Sequence, residues 1–137
     1  MNPVVYFEIP VSDMKRARLF YEKVFKVSLE VRDIDGNEMA LFPDAEGSPG
    51  ASGALARGES YFPGTAGARV YFGVADVAET LQLVVCEGGQ VNYPVTEVPD
   101  HGWVAEFIDP EGNCIALFAT QRPPNGAASL KQHHTTD

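Results

Sequence analysis

Hydrophobic and polar positions change period along this chain in a set order, and that order occurs twice. Residues 3–9 alternate and are β-prone, which predicts a strand closed by Pro10. Ser12 and Asp13 then offer N-cap side chains for a helix over about 13–25. Met14, Ala17, Tyr21 and Val24 recur on one helical face, while Lys15, Arg16, Glu22 and Lys23 lie mainly off it. Residues 27–34 alternate as an amphipathic strand should. Asp35-Gly36-Asn37 turns the chain, and Glu38 to Phe42 returns as the second half of a hairpin.

Residues 43–68 hold six Gly and three Pro, so only Gly53 to Arg57 among them suits a strand. The opening pattern then restarts with a strand over 69–74 and a helix over about 76–87. Val77, Thr80, Leu81, Val84 and Val85 point inward on that helix, and Gly88-Gly89 closes it. An edge strand interrupted by Pro94 (90–98), a strand over 103–108, the turn Asp109-Pro110-Glu111-Gly112-Asn113 and a strand over 114–119 complete the series. Tyr6-Phe7-Glu8-Ile9-Pro10-Val11-Ser12-Asp13-Met14 thus aligns with Arg69-Val70-Tyr71-Phe72-Gly73-Val74-Ala75-Asp76-Val77 at an offset of 63 residues. A second echo, between the run Gly36 to Phe42 and the run Gly112 to Phe118, has an offset of 76 and reads as hairpin chemistry used twice outside the repeat register.

The pattern predicts an α+β fold of two similar modules within one domain spanning 1–120. Module one covers 3–58, a linker 59–68 and module two 69–119. Residues 121–137 are rich in Pro, Gly and polar groups and predict a disordered tail, in which His133-His134 is polar sequence and no metal site.

Composition narrows the partners. A formal net charge of −9 leaves no basic face for nucleic acid or an anionic membrane, and favours at most cationic or polar small ligands. The start lacks a basic n-region, and no apolar run approaches bilayer length, so the expected location is the cytoplasm. Two cysteines are too few for a disulfide framework. Cys86 and Cys114 are expected to be small buried hydrophobes.

The run from Phe7 to Phe25, with Glu8-Ile9-Pro10-Val11, Asp13-Met14, Ala17 and Phe20-Tyr21, resembles the opening of a vicinal oxygen chelate domain. Phe107-Ile108-Asp109-Pro110-Glu111-Gly112-Asn113 with Ile115 and Leu117 resembles that superfamily's closing hairpin. Glyoxalase, bleomycin-resistance, fosfomycin-resistance and extradiol dioxygenase proteins are among its members. The resemblance implies two βαβββ modules whose curved sheets join in an open barrel-like cleft, with the helices packed outside. In metal-using members, His or Gln, His, and Glu hold a divalent cation that chelates two vicinal substrate oxygens. Seven residues before Asp13, where a His often stands, this chain has Tyr6; seven before Asp76 it has Arg69. Where Glu stands in Ile-Glu-Leu, it has Ile115-Ala116-Leu117. Arg69 is a permanent cation that repels a metal, Tyr6 ligates only as phenolate, and Ala116 cannot ligate. No metal and no cofactor are expected.

Strand parity puts Tyr6 with Glu8, and Arg69 with Tyr71, on the face that the resemblance makes the cleft, beside Cys114, Ala116 and Phe118. The resemblance implies that Glu106, four before the Pro of the turn, stands there too. Two readings of this polar set stand side by side. Either Glu8 or Glu106 pairs with Arg69 and stitches the modules together, or the set recognises a small molecule. Trp103 and the loop Glu59-Ser60-Tyr61-Phe62-Pro63 either flank the cleft mouth or, for Trp103, join the core. No catalytic residue is assigned. The expected function is metal-independent binding of a small molecule by a homodimer. The alternatives are a lyase, isomerase or dioxygenase with an atypical metal site, and an interaction module with a self-filled cleft.

Overall fold

The computed structural model describes residues 2–124. The tail beyond 124, with His133 and His134, lies outside the described residues. The chain runs β1 (Phe7–Pro10), α1 (Met14–Phe25), β2 (Glu30–Ile34), β3 (Asn37–Leu41), β4 (Gly53–Arg57), then β5 (Tyr71–Gly73), α2 (Val77–Cys86), β6 (Gln90–Val98), β7 (Gly102–Ile108) and β8 (Cys114–Ala119). Each half is a βαβββ module with its own four-stranded sheet, ordered β1-β4-β3-β2 and β5-β8-β7-β6. The first strand of each module pairs in parallel with the fourth, and the other pairings are antiparallel.

The 63-residue register holds in the backbone. Asp13 and Asp76 are both N-caps, accepting from the N–H of Arg16 and of Glu79. Val11 N–H donates to the Ala56 carbonyl as Val74 N–H does to Phe118. The other echo falls on β3 and β8, the third strand of one module and the fourth of the other, so it lies outside the repeat.

Both helices pack on one side of the sheets over a single core that spans the modules. α1 buries Met14, Ala17, Phe20, Tyr21 and Val24; α2 buries Val77, Ala78, Thr80, Leu81 and Val84. Burial of each large side chain in this set contributes about 1.5–3 kcal/mol. Three expectations need correction here. Val85 is about half exposed and Cys86 is exposed, because in the last turn of α2 Val84 takes the core-facing position and its two successors turn to the outer face. The alternation of β2 buries neither face: every residue from Glu30 to Ile34 is exposed, since α1 covers β4 and β3 but not this edge. The first strand of each module is shorter than expected, leaving Tyr6 and Arg69 just ahead of β1 and β5, because the parallel partners engage only Phe7–Pro10 and Tyr71–Gly73.

The Asp109-to-Asn113 turn locks module two onto module one. Buried Asp109 accepts from the Tyr21 hydroxyl at 2.6 Å and from the N–H groups of Glu111 and Asn113. Asn113 Nδ2 reaches back to the Pro10 carbonyl at 2.8 Å. The Glu111 carboxylate caps α1, accepting from Ser12 N–H and Asp13 N–H at 2.8 Å each and from Arg16 Nε at 2.6 Å. The motif that carries the family resemblance is thus an inter-module clamp.

Candidate functional site

The concave face follows from strand parity. Ile9, Leu55 and Ala40 face the helices in module one, which turns Glu8, Ala54, Ala56 and Met39 to the opposite side. Phe107, Ile115 and Leu117 face the helices in module two, which turns Glu106, Cys114, Ala116 and Phe118 into the cleft.

The five polar residues expected there form two separate stations. In module one, Glu8 accepts from the Tyr6 hydroxyl at 2.9 Å and from the Tyr61 hydroxyl at 2.6 Å. Tyr61 arrives on the linker between the modules and packs over Met39, Ala54 and Ala56, covering this half of the face. Partial burial, then the hydrogen bond and charge of Glu8, push the Tyr6 phenol up to about 12, so it stays a neutral donor. The Glu8 hydrogen bond and then desolvation also raise Tyr61.

In module two, Glu106 takes Arg69 Nη1 at 2.8 Å on one oxygen and Asn92 Nδ2 at 3.0 Å on the other. The Cys114 thiol donates weakly to the same carboxylate at 3.8 Å. Burial raises the Cys114 thiol above its ordinary value, with the nearby Arg69 charge opposing, so the group is a thiol rather than a ready nucleophile. The hydrogen bond from Arg69 to Glu106 raises the already high guanidinium value further. Register aligns Tyr71, Ala116, Glu106 and Tyr93 in one row across β5, β8, β7 and β6. At about 4.8 Å per strand the outer tyrosines stand roughly 14 Å apart. Tyr71 and Tyr93 are each about half exposed and stand at the two ends of this row, with Glu106 between them.

Of the pairings open in the sequence, in which Glu8 or Glu106 meets Arg69, the structure has Glu106; the two tyrosines on Glu8 and Asn92 on Glu106 were not expected. Asn92 and Tyr93 were missed as site residues, and Tyr61, expected only in a loop flanking the cleft mouth, bonds Glu8 directly. Register shifts on either side of Tyr93, next to Pro94, break the parity that would have placed it. Trp103 is partly buried against the core, and His101 lies in the exposed β6–β7 turn, away from either station.

The donor set does not fit the divalent metal of metal-using relatives. Among the described residues, no group of three or more His, Cys, Asp or Glu is placed to hold a metal ion. The carboxylate nearest the expected position, Glu106, is bound to a guanidinium that would repel one.

A large cavity lies elsewhere, on the helix side of the module seam. It measures about 530 Å³ and is bounded by Phe7, Phe25, Phe42 and Phe72, the loop after β3 and the start of α2.

Two βαβββ modules with a curved cleft on one side and both helices on the other define a vicinal oxygen chelate fold. The chain matches the family model described as the Glyoxalase/Bleomycin resistance protein/Dioxygenase superfamily over residues 4–117, and it belongs to that superfamily. No curated protein matches it. Glyoxalase I from Zea mays has a similar structure, with TM-score 0.64 and 21% identity, over 97% of this chain and 49% of that one. This chain thus spans about half the length of the maize enzyme. TnmS3, an antibiotic binding protein from Streptomyces sp. CB03234, matches with TM-score 0.64 and 22% identity over 88% of this chain and 98% of that one. A glyoxalase-related enzyme from Fulvimarina pelagi matches with TM-score 0.64 and 17% identity over 87% and 88% of the two chains. At these identities the likeness is one of fold. No helix among the described residues is long and apolar enough to cross a membrane.

Proposed function

We propose that this protein binds a small molecule in its cleft without a metal, through Tyr6, Glu8, Arg69, Tyr71 and Glu106. The observation that carries the reading is the Arg69–Glu106 pair, a fixed guanidinium on a carboxylate where metal-using relatives gather ligands. The exposed Tyr71 and Tyr93 rings at the two ends of the row offer flat apolar surface to a ligand's body, and the ion pair offers polar contacts to its edge. Module two offers the more open half of the cleft, since Tyr61 already packs over Met39, Ala54 and Ala56 in module one, and Tyr6 and Glu8 complete the site from that side. The same reading takes the protein as a homodimer, for which the open β2 edge, with Val31 and Ile34 about 40% exposed, offers a pairing surface.

A second reading, an interaction module whose cleft is filled by its own side chains, has an observation of its own: Tyr61 bonds Glu8 and packs over Met39, Ala54 and Ala56. Arg69→Ala separates the two. The pair is partly exposed and screened by water, so its loss should leave the melting temperature nearly unchanged. Ligands found by thermal-shift screening of chelator-treated protein should then bind at least about tenfold more weakly to the variant, as expected when a charged hydrogen bond is lost. A large fall in melting temperature with ligand affinities unchanged would instead support the self-filled cleft.

A further inference from the structure

The helix-side cavity has a counterpart at the other end of the molecule, and the counterpart is sealed. The 63-residue register maps the start of α2, which bounds the cavity, onto the start of α1, which the Asp109-to-Asn113 turn clamps. At the sealed end the chain leaving α2 is Gly88-Gly89. It packs so closely that a Cβ on Gly89 would meet Val84, the Ile108 carbonyl and the Phe20 ring. At the open end the chain leaving α1 is Phe25-Lys26, and the connection from β3 to β4 is the long loop 42–52 rather than a tight turn. Bulk has replaced glycine and a loop has replaced the clamp, so the same joint stays open.

The walls and the mouth differ in chemistry. Phe72 stacks on Phe25 at 4.3 Å and 22°, and meets Phe7 and Phe42 edge-on or tilted at 5.7 and 5.6 Å. All four rings are only partly buried, so they present aromatic surface to the cavity. The mouth carries Asp44, Asp76 and Glu79 against the single ammonium of Lys26, which lies 3.3 Å from Glu79.

The register also decides the sign of charge the site prefers. At the sealed end, a carboxylate (Glu111) rests on Ser12 N–H and Asp13 N–H and is held by Arg16. The matching N–H groups, of Ala75 and Asp76, belong to residues lining the cavity, but Arg16 is matched by Glu79. The positive end of α2 is already answered by the Asp76 cap and by Glu79 in its first turn, so an incoming anion would be repelled. A cation over phenylalanine faces and near three carboxylates is favoured.

We propose that this cavity is a second ligand site, which takes an organic cation carrying a flat aromatic or apolar body. Its volume lies within the roughly 300–1,000 Å³ of small-molecule pockets. The site stands apart from the cleft and does not rest on the cleft reading.

The test is an NMR titration of full-length protein with labelled phenylalanine and tyrosine, using benzyltrimethylammonium and its anionic counterpart 3-phenylpropionate. The cation should shift the Phe25, Phe42 and Phe72 signals saturably and bind at least about tenfold more tightly than the anion, while Tyr71 and Tyr93 stay still. Glu79→Gln should weaken the cation about three- to tenfold with the amide spectrum otherwise preserved. Ala51→Trp, in the exposed loop wall, should block binding without unfolding the protein. Preference for the anion, shifts confined to Tyr71 and Tyr93, or undiminished binding to Ala51→Trp would overturn the proposal. So would absence of saturable binding, including the case in which a dimer of this chain buries the cavity.

Discussion

Replacing Asp109 with Ala is expected to destabilise the protein by about 3 kcal/mol, lowering its melting temperature by roughly 10 °C for a chain of this size. Asp109 is 3% exposed and accepts from four donors: the Tyr21 hydroxyl, the N–H groups of Glu111 and Asn113, and Asn113 Nδ2. Removing the acceptor strands the Tyr21 hydroxyl inside the core, where no water replaces the bond. Burial and then the Asp109 charge and hydrogen bond already hold the Tyr21 phenol well above its ordinary value, so ionisation offers no escape. Tyr21→Phe removes one donor and leaves the carboxylate its other three, so it should cost only about 1–2 kcal/mol. Urea unfolding monitored by circular dichroism measures both. Equal losses for the two variants would show that Asp109 acts through Tyr21 alone and would contradict the clamp as described.

Glu111→Ala should cost about 2–3 kcal/mol at neutral pH, through the lost cap on α1 and the lost ion pair with Arg16. The carboxylate side chain is fully buried between the modules and serves Ser12 N–H, Asp13 N–H and Arg16 together. Burial by itself would raise this carboxyl. The hydrogen bond from Arg16, those from Asp13 and Ser12 N–H, and the Arg16 charge outweigh burial and hold it below the ordinary glutamate range. A depressed carboxyl stabilises the fold at pH above its unfolded value, and that contribution is lost as pH falls through the folded value. The stability gap between the wild-type protein and Glu111→Ala should therefore be full at pH 7 and close on acidification below the ordinary glutamate range. A gap that stays constant with pH would mean the side chain acts by packing rather than by charge.

Local pattern carried most of the fold. The N-caps Asp13 and Asp76, the limits of β4, β6 and β8, and the doubled module order are all local properties of capping, alternation and turn residues. What escaped it depends on distant partners. The first strand of each module ends where its fourth strand ceases to pair, and nothing near Tyr6 or Arg69 encodes that limit. β2 alternates like a half-buried strand, but no helix lies over it. The turn Asp109-Pro110-Glu111-Gly112-Asn113 was legible as a turn, whereas its grip on Tyr21, Ser12 and Pro10 joins residues about a hundred positions apart.

The cleft divides in the same way. Period two puts Glu8 on the face opposite Ile9, and the resemblance adds Glu106, because β1 and β7 are regular around them; Arg69 stands ahead of β5 and reaches Glu106 from outside the strand. Period two could not say that Glu106 takes Arg69 while Glu8 takes two tyrosines, one of them from the linker. Nor could it find the cavity bounded by Phe25, Phe42 and Phe72, which exists only because two helix ends meet across the seam.

The most direct test of metal-independent binding is a calorimetric titration of chelator-stripped protein with Mn, Ni, Zn and Fe(II). With Arg69 on Glu106 and Tyr6 on Glu8, the account predicts no saturable, stoichiometric binding of any of the four. Tight binding of one metal per chain would contradict it.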